Sequence, residues 1–278
     1  MIIRILEERE MKIIESFICG KENNPLTCED GIFISEKMVV VIDGVTAKGK
    51  RLWDGKSSGC FAKDIIIDFL QKNSIEKLDA ESFFLELDSM IRSCVMATEE
   101  NIVVEDYPRA AVIIYNEHHH EVWSYGDCQC RINDVVYKHA KKVDEINESI
   151  RANVLKEYLQ DGYTVDELRE NDPGRAMIQE NLLKQFSYEN QLSSFGYPVL
   201  NGQGIESRLI KKYKVKPGDE ITLATDGYPE IEESLVKTEA YLQKALELDP
   251  LCIKECRSTK ALKVGNVFLM IECIVGCW

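Results

Sequence analysis

The sequence is short of positive charge. It contains 34 lysines and arginines against 48 aspartates and glutamates, which gives a formal net charge of −14 at pH 7. Such an acidic chain is repelled by the phosphate backbone of nucleic acids and by anionic membrane surfaces. We therefore expect no nucleic acid and no membrane among its main partners, whereas divalent cations are compatible with this charge.

Long apolar runs are missing as well. No run of residues reaches the length of about 20 that a transmembrane helix needs. Residues 1–11 mix a short apolar run with Arg4 and several glutamates, which is not the pattern of a secretory signal. The ten cysteines are therefore interpreted as reduced, mostly buried thiols, and we expect a cytoplasmic protein.

Histidine is scarce, which bears on the choice of metal. Three of the four histidines are the consecutive residues 118–120, and neighbouring side chains on a strand cannot all point at one ion. The pairs Cys252/Cys256 and Cys273/Cys277 are spaced more widely than the Cys-x-x-Cys pairs of typical zinc sites. We predict turn histidines and buried thiols here rather than a zinc centre.

Acidic residues follow several apolar strands. Residues 38–42 are all apolar and too few for a helix, and they lead into Asp43-Gly44. Residues 221–225 lead in the same way into Asp226-Gly227, and a third predicted strand, 121–125, leads into Gly126-Asp127. Carboxylates grouped without histidine or cysteine are hard oxygen ligands, which suit Mg²⁺ or Mn²⁺.

The order of predicted elements indicates an α+β fold. Helical spacing of apolar residues follows the first Asp-Gly strand, then a hairpin, a second helical block and further strands. This layout, which has no obvious linker, predicts antiparallel sheets covered by layers of helices. The predicted helices are 59–72, 79–100, 144–187 with a break at 172–174, and 231–247; the predicted strands include 11–20, 31–35, 110–115, 121–125, 207–215 and 266–275.

Five short motifs resemble those of one enzyme family. In chain order they are Glu29-Asp30, Val41-Ile42-Asp43-Gly44, Gly59-Cys60-Phe61-Ala62, Tyr125-Gly126-Asp127-Cys128-Gln129-Cys130-Arg131 and Ala224-Thr225-Asp226-Gly227. Each stands where the predicted elements place a strand end or a helix start. The chain from about Lys12 to Glu230 thus resembles the metal-dependent protein phosphatases of the PPM type, the protein phosphatase 2C family.

The resemblance implies a single domain over residues 1–278, built as a four-layer α-β-β-α sandwich of two antiparallel sheets flanked by helix pairs. It also implies a site with two Mn²⁺ or Mg²⁺ ions. Asp43 would bridge both ions, Asp226 would hold one, and the Gly44 carbonyl and Glu29 would serve the other directly or through water. Two cations suit a phosphomonoester, since they acidify a water into a nucleophile and neutralise charge on the phosphoryl oxygens.

The resemblance also assigns Asp30 and Asp127. Asp30 would orient a metal-bound water, so that Asp30, Asp43 and Asp226 form the expected catalytic set. Asp127 would lie in the outer shell of the site or on a third, weaker ion.

Two departures from the family pattern concern the site itself. The acidic ligand that the family carries before its last strand is absent, because residues 263–268 read Lys-Val-Gly-Asn-Val-Phe, and the tail 266–278 is atypical. The phosphate-binding arginine is not matched either, and Lys21, Lys50 and Arg51 are the alternatives.

Two functions from different classes follow from these observations. The first is dephosphorylation of phosphoserine or phosphothreonine in a protein substrate by a metal-activated water. The second is a catalytically weakened or inactive relative that keeps the sandwich and binds a partner or a phosphopeptide, a hypothesis motivated by the missing acid near Asn266.

Overall fold

The computed structural model describes residues 2–7, 11–18, 27–46, 48–98 and 101–260. Their strands form two five-stranded sheets in which every neighbouring pair is antiparallel. The first sheet has the order β2 (Met11–Phe17), β1 (Ile2–Glu7), β10 (Glu220–Ala224), β7 (Gln129–Ile132) and β8 (Val135–Tyr137). The second has the order β3 (Asp30–Ile34), β4 (Met38–Gly44), β5 (Ala110–Asn116), β6 (Glu121–Tyr125) and β9 (Lys211–Lys214).

The helices form outer layers and one separate block. The α-helices of the described residues are α1 (Ser58–Lys72), α2 (Ala80–Met96), α3 (Lys142–Gln160), α4 (Val165–Glu170), α5 (Pro173–Met177), α6 (Gln179–Lys184) and α7 (Leu235–Leu248). Within those residues, none of the helices combines the length and the apolar character that crossing a membrane requires.

The position of strand β4 between two cores explains why its sequence is apolar at every residue from 38 to 42. Val39 and Val41 point into the core between the two sheets, while Val40 and Ile42 point into the core between the second sheet and the helices. A strand that is covered on both faces buries every side chain, and such a strand is a continuous apolar run.

Helices cover the outer face of each sheet. Helix α1 begins after Ser57, whose side chain accepts a hydrogen bond from the Cys60 amide, and α2 begins after Asp79 in the same way. Both pack on the second sheet. Helix α7 packs on the first sheet, where Leu242 joins the buried cluster that contains Ile2. The predicted sandwich of two antiparallel sheets between helices is confirmed.

Three local predictions differ from the structure, and one cannot be compared with it. Residues 2–7 were not predicted as a strand, yet they form β1, because Arg4 pairs with Glu15 at 3.0 Å and Glu220 at 2.5 Å on the neighbouring strands. Helix α7 begins later than predicted, since the Ser234 side chain caps it. The predicted strand 207–215 starts as a 3-10 turn and pairs only as β9. The predicted strand 266–275 lies outside the described residues.

The predicted break in the central helical block is confirmed at Asp172. Its side chain accepts a hydrogen bond from the Arg175 amide at 2.7 Å, and Pro173 follows as the first residue of α5. The block has its own small core, in which Leu155 of α3 packs with residues 251 and 253. The segment after α7 is therefore part of this block.

Candidate metal centre

Three aspartates meet at one edge of the sandwich. Asp43 ends β4 of the second sheet, Asp226 follows β10 of the first, and Asp127 follows β6. One carboxylate oxygen from each lies within 4.8 Å of the others. Oxygens that share a divalent cation at about 2.0–2.6 Å lie no more than about 5 Å apart, so these three carboxylates fit one such ion.

The electrostatics of the three carboxylates also favour a cation. Burial raises the pKa of Asp43 to about 8, and the neighbouring carboxylates of Asp30 and Asp127 add to the shift. Like charges this close repel one another. A bound divalent cation would remove that repulsion.

Asp30 and Glu29 lie beside this cluster. Asp30 is buried and pairs with Asp43 across β3 and β4. Both carboxylate oxygens of Glu29 accept hydroxyl hydrogen bonds, from Thr46 at 2.5 Å and from Ser57 at 2.7 Å. Glu29 therefore connects the loop after β4 to the start of α1, and the three-aspartate cluster forms without it.

Gly44 is required by close packing of the backbone. A side chain on Gly44 would lie 2.3 Å from the Gly59 carbonyl oxygen, and one on Gly59 would lie 2.6 Å from the Gly44 carbonyl oxygen. The two glycines let the end of β4 approach the first turn of α1. Gly44 also lines the same cavity as Asp43.

One carboxylate of the cluster already has a cationic partner. The ammonium group of Lys141, the residue before α3, forms an ion pair with Asp127. Lys141 also lies over the ring of Tyr197, 5.0 Å from its centre. The chain itself thus supplies one positive charge at the edge of the cluster.

Further basic residues line a cavity of about 110 Å³ together with the aspartates. Its lining includes Lys48, Lys141, Arg175 and Lys260 together with Asp43, Asp127, Asp144 and Asp226. From the sequence, the basic cluster between Lys48 and Lys56 is interpreted as a solvated loop, with contact to a phosphorylated substrate as the alternative. Lys141, Arg175 and Lys260 are not assigned to the site by the sequence, and the position of Arg175 after a predicted helix break is a weak signal.

The basic residues proposed from the sequence lie elsewhere. Lys50 is exposed, and the side chain of Arg51 packs over the Trp53 ring at 4.8 Å, while its amide donates to Asp106. Neither of them lines the cavity. Lys21 and the residues around Asn266, where the missing acid was expected, are outside the described residues.

Two arginines fix the chain segment that reaches the cavity. Arg151 of α3 is fully buried, pairs with Asp172 at 2.8 Å and donates to the Ser258 carbonyl oxygen at 2.8 Å. Arg175 donates to the Thr259 carbonyl oxygen, also at 2.8 Å. The helical block thereby positions Lys260 at the cavity.

The solved structures that are similar to this chain include phosphatases. The chain is similar to the catalytic domain of the serine/threonine protein phosphatase PstP with two manganese ions (TM-score 0.44, 11% identity, 87% of this chain and 86% of that chain). It is also similar to the PPM Ser-Thr phosphatase MsPP from Mycobacterium smegmatis (TM-score 0.41, 13% identity, 84% of each chain). A third is the serine/threonine phosphatase Stp1 from Staphylococcus aureus (TM-score 0.43, 14% identity, 85% and 90%).

No protein-family model matches the chain, and no curated protein matches it in sequence. The family that the sequence motifs resemble is thus represented among the similar solved structures. The chemistry of this chain is argued below from its own residues.

Proposed function

We propose that the chain hydrolyses phosphomonoesters with the help of Mn²⁺ or Mg²⁺, and that its substrates are proteins phosphorylated on serine or threonine. One observation carries the proposal: a cluster of three carboxylates lies in the same small cavity as four basic side chains. The acidic side suits divalent cations and the basic side suits the oxygens of a phosphoryl group. A phosphomonoester hydrolase needs both.

The donor set fits hard divalent cations. Asp43 and Asp226 would be the central ligands, and Asp127 and the Gly44 carbonyl would supply further oxygens for a second ion. When bound, such ions polarise phosphoryl oxygens and lower the pKa of a coordinated water. Asp30, which lies beside Asp43 on the neighbouring strand, would accept a proton or orient a water.

The substrate class rests on the resemblance of the sequence motifs. Three similar structures carry the words serine/threonine or Ser-Thr phosphatase in their names. In the proposed reaction a water molecule attacks phosphorus directly, so that no covalent phosphoenzyme is needed.

Hydrolysis of p-nitrophenyl phosphate tests the proposal. We expect phosphate release that requires Mn²⁺ and falls at least about 100-fold in Asp43→Asn and Asp226→Asn, since a lost ligand costs more than the 10–100-fold effect of an outer-shell partner. Asp134→Asn is the matched control, because this aspartate is solvent-exposed on the β7–β8 turn. Absence of Mn²⁺-dependent turnover in a folded wild-type sample contradicts the proposal.

One contact favours the second function, a phosphopeptide-binding or partner-binding module without catalysis. The ion pair of Lys141 with Asp127 neutralises a carboxylate that a second ion would otherwise use. Calorimetry separates the two functions. Two Mn²⁺ sites that Asp43→Ala abolishes support the enzyme, whereas a folded chain without Mn²⁺ affinity supports the binding module.

A further inference from the structure

We infer that Lys48 and Arg175, assisted by Lys260, form the binding site for the phosphoryl group of the substrate. This inference rests on the proposed function and assigns the anion-binding residues that the sequence left open. The ligand class is a phosphate monoester dianion, for which inorganic phosphate serves as the simplest probe.

The three cations converge from separate parts of the chain. Lys48 lies in the loop between β4 and α1, Arg175 lies in α5, and Lys260 lies in the segment after α7. Both the backbone and the side chain of Arg175 are held by hydrogen bonds. Its amide donates to the Asp172 side chain, and its guanidinium group donates to the Thr259 carbonyl oxygen. The remaining guanidinium N–H groups are left for the oxygens of an anion.

The positive charge of Lys48 is not offset by a direct acidic partner in the described residues. It forms no ion pair with any residue in the described ranges, although it is largely enclosed. Burial lowers the pKa of Lys48 to about 8, and the positive charges of Arg175 and Lys260 contribute to the shift. Cations held together in this way repel each other until an anion binds between them.

Lys141 plays a different part from the other cations. Its ammonium is already paired with Asp127, so its charge serves the acidic side of the cavity. Asp144, in the first turn of α3, lines the cavity too, which brings the acidic residues of the lining to four and the basic residues to four.

The charge balance makes phosphate binding depend on metal binding. When the four carboxylates are ionised and no metal ion is bound, they offset the four cations and oppose an incoming dianion. A divalent cation on the aspartates gives the cavity a net positive charge. Phosphate and metal should therefore bind with positive coupling, each raising the affinity for the other.

Titration of inorganic phosphate, followed by calorimetry with and without Mg²⁺, tests the inference. We expect Mg²⁺ to strengthen phosphate binding, and Lys48→Met to weaken it at least about tenfold, the effect of removing a charge-assisted hydrogen bond. Affinity for Mg²⁺ should be unchanged or slightly higher in Lys48→Met, because a repelling charge is gone. Lys48→Arg should retain most of the phosphate affinity.

Lys50→Met is the matched control, since this lysine is two residues away, exposed and outside the cavity. Equal phosphate affinity in Lys48→Met and wild type, or an equal loss in Lys50→Met, overturns the inference while metal-dependent hydrolysis still stands. Phosphate binding that depends on Lys48 in a chain without metal affinity overturns the proposed hydrolysis and keeps the anion site. Absence of any phosphate binding overturns the anion site.

Discussion

The two walls of the cavity are built in different ways. The acidic wall comes from the ends of core strands, and β4, which carries Asp43, is buried on both faces. The basic wall comes from the loop that carries Lys48, from α5 and from the segment after α7 that carries Lys260. The sheets therefore position the proposed metal ligands, whereas the helical block positions Arg175 and Lys260, and we expect that each wall can be altered without the other.

Removal of the central ligand should have the largest effect. We expect Asp43→Asn to lower Mn²⁺ affinity about 1,000-fold, about 4 kcal/mol, because it removes the central carboxylate of the cluster. The metal-free variant should melt at the same temperature as the wild type or higher, since burial and the neighbouring carboxylates make the charged form of Asp43 unfavourable. Mn²⁺ calorimetry and thermal unfolding measure the two effects. A large loss of metal-free stability would mean that Asp43 serves the fold instead.

The buried arginine of the helical block should affect the basic wall alone. Arg151→Met should destabilise the chain by about 3 kcal/mol, because it leaves Asp172 without its partner and the Ser258 carbonyl without its donor. Phosphate affinity should fall with it, because Lys260 loses its support, while Mn²⁺ affinity should persist in the folded fraction. Chemical unfolding and calorimetry check this, with the exposed Arg208→Met as a control expected to leave stability nearly unchanged.

A methyl group at the end of β4 should disturb the acidic wall alone. Gly44→Ala should cost about 2 kcal/mol of stability, because the added carbon meets the carbonyl oxygens of Gly59 and Glu29 at 2.3 and 2.4 Å. Mn²⁺ affinity should fall as Asp43 is displaced. Gly55→Ala is a control for steric contact, since nothing lies within 4 Å of its added carbon. Its positive φ adds backbone strain but no clash with neighbouring atoms. Unchanged Mn²⁺ affinity in Gly44→Ala would contradict the close-packing argument.

The smallest expected effect is a dependence on pH. Phosphate affinity should fall as pH rises through about 8, where Lys48 loses its proton, and this step should be absent in Lys48→Met. Because the folded pKa lies below the ordinary value of 10.5, charged Lys48 costs stability below pH 8, and the cost disappears as pH rises to 10.5. Comparison of wild type and Lys48→Met across this range isolates the step. Identical profiles would contradict the placement of Lys48 in the cavity.

The acidic wall was largely predictable from the sequence, for a physical reason. A short apolar run that ends in Asp-Gly predicts a buried strand and the position of its carboxylate, and the ends of neighbouring strands meet at one edge. Asp43, Asp127 and Asp226 were found in this way, and the structure brings them together. The role of each as a ligand stays a prediction.

The basic wall was not predictable in this way. Lys48, Arg175 and Lys260 share no periodicity, and their convergence depends on how Arg151 and Arg175 hold the segment after α7. Such contacts between residues distant in sequence leave no local pattern. Strand β1 was missed for a related reason, because its charged Arg4 is compatible with a central strand only through its two glutamate partners.

A calorimetric titration of Mn²⁺ into the wild-type chain, Asp226→Asn and Asp134→Asn tests the metal centre most directly. The arrangement of the three carboxylates predicts saturable binding in the wild type and in Asp134→Asn, and its loss in Asp226→Asn. A folded wild-type chain that shows no binding, or an Asp226→Asn variant that binds as the wild type does, would contradict it.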